Sequence, residues 1–234
     1  MSPPVIRDLV SPGSPELNVH RFFSAVANEL GPLEHAILEH LVDAGTSRGW
    51  FPNRAQLETR FTEHWPHAEV VAAVHRLVQV RAVELDEAGA VHGTVSGITS
   101  RRTHITARSD GVVFSLRSAL DALTIAGTLQ RRVAVTARCP ETQGAVQLSF
   151  EADGSILDLQ PSGAAAFIPG WDGVAPLADA LAVGGFFTSD AALEAWQSKA
   201  PGAIGTPLGG DTLRFIGPSL AGPLAGYYVA MSVR

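Results

Sequence analysis

The stretch GITSRRTHITARSDGVVFSLRSALD, residues 97–121, decides the fold. Side chains alternate in character over Thr103–Ala107 and Gly111–Phe114, the period of two that marks strands with one buried face. An apolar helical run then follows at about 116–129. Outward from it, Arg132–Arg138, Ala145–Phe150 and Ser155–Leu159 repeat the strand period, and Ser189 is placed to cap a helix over Asp190–Lys199. Strands interrupted by few helices predict an α+β domain over residues 97–234, its sheet expected to be mixed, with flanking helices. The Gly/Pro-rich stretch 201–223 reads as loop with one strand at Thr212–Ile216, and Gly226–Val233 as a β-prone return to the sheet.

Upstream, the pattern is helical. Residues 1–19 hold four prolines and no helical period, and are expected to form an arm. Helical spacing then runs over Val19–Leu30 and Leu33–Ala44, divided by Gly31-Pro32, a stop followed by a first-turn proline. After the expected turn GTSRGWFP, Asn53 can cap a helix through Phe61, and 66–80 is amphipathic with Val70, Val71, Val74, Leu77 and Val78 inward. Two short strands, Ala82–Leu85 and Ala90–Val95, complete what reads as a winged helix-turn-helix over 20–96. Trp50, Phe51 and Trp65 fit two readings, closing its small core or forming a lid over a ligand pocket between the two domains.

A chain of 234 residues, 46% of them apolar, can bury one good core and a smaller satellite. Its net charge is -6, and it has no apolar run of about 18 residues, so a membrane span is not expected. Prolines and charges occupy the place of a signal-peptide core, so the expected location is the cytoplasm. Cys139 is the one cysteine, which excludes an internal disulfide and any site that needs two thiolates from one chain.

Three blocks resemble the organomercurial (alkylmercury) lyase family. The first is the 97–121 stretch, with its GxTxRxT start and ALD end. Arg138-Cys139-Pro140-Glu141-Thr142 with Val146 and Leu148 forms the second, and Phe186-Phe187-Thr188-Ser189 through Glu194, Trp196, Ser198 and Lys199 the third. The resemblance implies the MerB-like fold and a protonolysis in which two cysteines capture mercury and an aspartate shuttles a proton to the departing carbanion. It places the aspartate on Asp121, the first cysteine on Ser118, the second at or near Leu181, and a structural third on Cys139. A serine hydroxyl is neither soft nor ionised at neutral pH and does not replace a metal-capturing thiolate. The expectation is therefore a member of this family without carbon–mercury lyase activity.

Ser118 and Asp121, three apart at a helix start, fit two readings. As a capping pair, the hydroxyl accepts from a free backbone N–H and the carboxylate faces the positive end of the helix dipole. As a retained site, a buried Asp121 would have raised proton affinity and act as general acid or base. Arg117 is a candidate for steering an anionic substrate, although residues one apart on a helix diverge by about a third of a turn. Leu181 and Phe186 are candidates for an apolar substrate wall. All eight histidines lie between His20 and His104, so an imidazole for this site would come from the N-terminal unit. Without a motif such as H-E-x-x-H, His35, His40, His64 and His67 read as solvated or capping residues; no metal or cofactor is expected.

Two function classes follow. One is an acid/base enzyme acting on a small organic substrate, of lyase, isomerase or cyclase type, with specialised metabolism as its expected setting. The other is a ligand-sensing regulator or binding protein. DNA is the less favoured partner, because residues 20–110 carry nine basic against eleven acidic side chains and the 66–80 helix has a single arginine. The active alkylmercury lyase ranks third.

Overall fold

The computed structural model describes residues 29–174 and 177–214. The expected arm, all but the end of the expected 19–30 helix, and the 226–233 segment lie outside the described residues.

Three helices come first among the elements that lie wholly within the described residues: α1 (Pro32–Arg48), α2 (Arg54–Phe61) and α3 (His67–Gln79). Gly31 and Pro32 open α1 as expected, but the helix runs past Ala44 through the first half of the expected turn to stop at Gly49, which is left-handed at φ +74°. Asn53 forms a full capping box with Gln56, each side chain taking the other's backbone N–H. In α3, Val70, Ala73, Val74 and Leu77 are buried, one face at helical spacing. Phe51 and Trp65 pack against the core, whereas Trp50 is 47% exposed, with the Arg48 guanidinium 5.8 Å from its ring.

The strands follow: β1 (Val83–Leu85), β2 (Val91–Thr94), β3 (Ile98–Thr99), β4 (Ile105–Ser109) and β5 (Val112–Leu116), then α4 (Ala119–Leu129), β6 (Val133–Arg138), β7 (Ala145–Phe150) and β8 (Ile156–Gln160). Among the described residues they make one eight-stranded sheet in the order β1-β2-β3-β5-β4-β6-β7-β8. Every pairing in it among the described residues is antiparallel, which corrects the expected mixed sheet over that part of the chain. Hairpins join β4 to β5, β6 to β7 and β7 to β8, and connections that short leave no room for the crossover a parallel pair needs. The β1–β2 ribbon does not stand apart: β3 carries it into this sheet, where it forms one edge. Burial alternates strictly along β6, Val133, Val135 and Ala137 inward, as a sheet covered on one face requires.

A second sheet has the order β10-β9-β11, with β9 (Ala165–Pro169), β10 (Gly185–Phe187) and β11 (Gly205–Leu208). Between β9 and β10 lies α5 (Leu177–Leu181); α6 (Asp190–Lys199) follows β10, capped by Ser189 as expected. Residues 210–214 are helical, which removes the described part of the strand expected at 212–216. The strand β9 has all five residues buried, as the middle strand of a small sheet with α4 on one side and α6 in contact too. α4 itself is buried without a break from Ala119 to Gly127, and packs on β4, β5 and β6 of the large sheet as well as on β9. A helix apolar all round belongs between two layers, and its first turn is thereby carried into the interior.

Candidate functional site

The first turn of α4 holds the Ser118–Asp121 pair. Leu116 ends β5 and Ser118, in extended backbone at φ -142°, is the N-cap, so the helix begins at Ala119 rather than near 116. The Asp121 backbone N–H donates to Ser118 Oγ at 3.2 Å, and Ser118 Oγ donates to Asp121 Oδ2 at 2.7 Å. Both side chains are buried, Asp121 at 2% exposure. The cap and the buried acid expected as alternatives are thus one arrangement.

Burial pushes the Asp121 carboxyl above the ordinary carboxylate range; the Arg117 charge and then the Ser118 hydrogen bonds draw it part of the way back. Arg117 belongs to the chain before the cap, so the helical angle between neighbours does not apply to it. Its Nε lies 3.6 Å from Asp121 Oδ2, an ionic contact too long for a hydrogen bond. Arg117 Nη1 donates instead to Glu84 Oε1 at 3.1 Å, while its Nε and Nη2 are buried without a hydrogen-bond partner. Glu84 Oε2 is 3.3 Å from His92 Nδ1, at ion-pair distance but not aligned for a hydrogen bond, and His92 Nε2 is 3.2 Å from Arg101 Nη2.

Two glycines make room for the two carboxylates. Gly97, at φ +80° in the turn between β2 and β3, accepts the Arg117 backbone N–H through its carbonyl at 3.0 Å. A β-carbon on it would fall 2.0 Å from Asp121 Cγ. Opposite Glu84 in the β1–β2 register stands Gly93, whose β-carbon would lie 2.9 Å from Glu84 Oε2. Glu84, His92, Gly93 and Gly97 were not apparent as site residues. The one available signal was a charged side chain and two glycines in short strands beside the family-like block.

The other candidates are distributed differently. Leu181, at the end of α5, and Phe186, in β10, are both wholly buried members of the same apolar core as Ala119, Leu120 and Leu123 of α4. Cys139 is buried, accepts the Thr142 N–H at 3.4 Å, and packs with Phe167, Phe187 and Leu193. His40 and His64 line a cleft of about 400 Å³ with Glu39, Asp43, Arg60 and Phe61, which shares no residue with the Asp121 cluster. Among the described residues no group of three His, Cys, Asp or Glu could hold a metal ion, and no helix is long and apolar enough to cross a membrane.

The model of the alkylmercury lyase (MerB) family matches residues 98–219, more than half of the chain and all of α4, β9 and α6. The chain belongs to the alkylmercury lyase family. A solved structure described as the mercury-bound form of MerB2 superposes with a TM-score of 0.72 at 16% identity, over 90% of this chain and 98% of that one. At that identity the likeness is one of fold. No curated protein matches the chain in sequence. In this alkylmercury lyase family member, the Ser118–Asp121 turn lies inside the matched region and Glu84, His92 and Gly97 lie upstream of it.

Proposed function

We propose that this alkylmercury lyase family member does not cleave carbon–mercury bonds and instead moves a proton to or from carbon in a small organic substrate. The observation that carries this is a buried carboxyl, Asp121, held at 2.7 Å by a serine hydroxyl in a chain with a single cysteine. Asp121 is the acid/base, its proton affinity raised by burial, and a positioned general acid or base contributes typically ~10²–10⁴ in rate. Ser118 holds the carboxyl in one orientation. Arg117, with two buried nitrogens lacking hydrogen-bond partners, is the candidate contact for an anionic group of the substrate, and Leu181 and Phe186, enclosed in the same core as the first turn of α4, are the candidate apolar wall. We read residues 20–96 as a winged-helix-like companion to a lyase-like domain over 97–234, supporting the site through β1 and β2 rather than reading DNA.

Two assays test the reading. Purified protein incubated with methylmercury and excess thiol should release no methane, and turnover comparable to that of an active organomercurial lyase refutes the first half. Small carbonyl and carboxylate compounds should be screened for deuterium uptake at carbon from D₂O. Asp121→Asn should abolish any exchange found in the native chain, and unchanged exchange in that variant removes Asp121 from the reaction.

A further inference from the structure

Glu84 and Asp121 come from different sheet and helix elements, 37 positions apart in sequence, and meet at one guanidinium. Arg117 hydrogen-bonds Glu84 at 3.1 Å and stands 3.6 Å from Asp121 without a hydrogen bond, so the geometry favours the outer carboxylate. We propose that Glu84 is a positioning residue for the acid/base: by hydrogen-bonding the Arg117 guanidinium it keeps that charge short of hydrogen-bonding distance from Asp121, so that the buried carboxyl holds its proton more firmly than it would with Arg117 fully turned to it. This rests on the acid/base reading of Asp121.

Four observations support it. The Arg117 side chain is 13% exposed and its Nε and Nη2 are closed off, so when Glu84 releases it, the nearest anion to turn to is Asp121 rather than water. Glu84 is itself seated, by the glycine across the ladder at position 93 and by His92 at 3.3 Å, whose other ring nitrogen meets Arg101. Among the described residues Arg117 is the charged group bearing on Asp121, with Glu84, His92 and Arg101 in line behind it. Finally, Arg117 at 3.6 Å is already within the range where an opposite charge lowers a carboxylate's proton affinity by about one to three pH units, so how its charge is shared between Glu84 and Asp121 sets how large that effect is.

The test needs no substrate. The side-chain carboxyl of Asp121 is titrated by ¹³C NMR in the full chain, its signal assigned by its loss in Asp121→Asn. Glu84→Gln should lower the Asp121 midpoint by about one pH unit, tenfold in proton affinity. Glu84→Asp, which keeps the charge but is one methylene too short to reach Arg117, should lower it similarly; simple through-space repulsion would leave this variant close to the native value. Gly93→Ala pushes the Glu84 carboxylate aside without altering any charge and should act in the same direction, which keeps the test open if neither Glu84 variant folds. An Asp121 midpoint that stays put or rises in these variants overturns the proposal. A native midpoint in the ordinary carboxylate range sinks the acid/base reading as well, whereas a raised midpoint indifferent to position 84 sinks this one alone.

Discussion

Gly97 lies directly on the carboxyl of Asp121, close enough that a β-carbon at position 97 would stand 2.0 Å from Asp121 Cγ and 2.3 Å from its Cβ. The atoms that would have to yield are the root of a short side chain in the first turn of a buried helix, not the free end of a flexible one. Gly97→Ala should therefore cost both the left-handed backbone penalty and overpacking, together about 2–4 kcal/mol. Gly111 provides the control, since it has nearly the same φ, +82°, and nothing within 4 Å of its would-be β-carbon. Gly111→Ala should cost only about 1 kcal/mol. Urea denaturation of the two variants measures the difference; equal losses would mean that the contact with Asp121 has no energetic weight.

Ser118 has two partners, and Ser118→Ala removes both. The helix loses its cap and Asp121 Oδ2 loses a buried donor, a combined cost of about 1–3 kcal/mol in denaturant melts. Because the Ser118 bonds draw the Asp121 proton affinity down, their removal should raise it further. A stability loss without any rise in the Asp121 midpoint would leave Ser118 as a helix cap alone.

Most of the sheet was legible because β4 to β7 bury one face and so alternate. β6 and β7 match their expected spans within a residue, and Ser189 and Asn53 announce their helices by cap chemistry alone. The strand β9 gave no such signal: Ala-Ala-Phe-Ile-Pro is buried on every side, and a short run of five apolar residues has no period to read. Ser118 and Asp121 were readable because both their ends are local, three residues apart. Glu84 and His92 were not, because their relation to Asp121 depends on β3 joining the ribbon to the large sheet, a long-range pairing that leaves no trace in local spacing. Arg117 was placed on the wrong geometry for a local reason, its helix having been started about three residues early.

Leu181 and Phe186 separate packing from binding. Each is completely enclosed, so Leu181→Ala should cost about 2–5 kcal/mol and Phe186→Ala about 3–5 kcal/mol as core truncations. Phe186→Leu is the informative variant. If the ring serves the core alone, thermal stability falls and catalysis on the true substrate, measured well below the melting temperature, does not change. If it forms substrate wall, KM rises beyond anything the stability loss accounts for.

The pH dependence of stability isolates the burial of Asp121 from everything else in the chain. A carboxyl whose proton affinity is raised by folding contributes stability that is fully present below its unfolded value, about 3.9, and is lost as the pH climbs through the folded value. Asn cannot ionise, yet its amide oxygen can still accept from Ser118. Asp121→Asn should therefore melt close to the native chain near pH 3.5 and progressively above it toward neutrality, the gap levelling off once the native carboxyl is ionised. For a chain of this size each kcal/mol of difference appears as roughly 2–4 °C in Tm. Other titrating groups enter both proteins equally and cancel in the difference. A gap that stays constant across this range, or a native chain that gains on the variant as pH rises, would mean that Asp121 is more comfortable charged than neutral, and with it the case for a buried acid/base would fail.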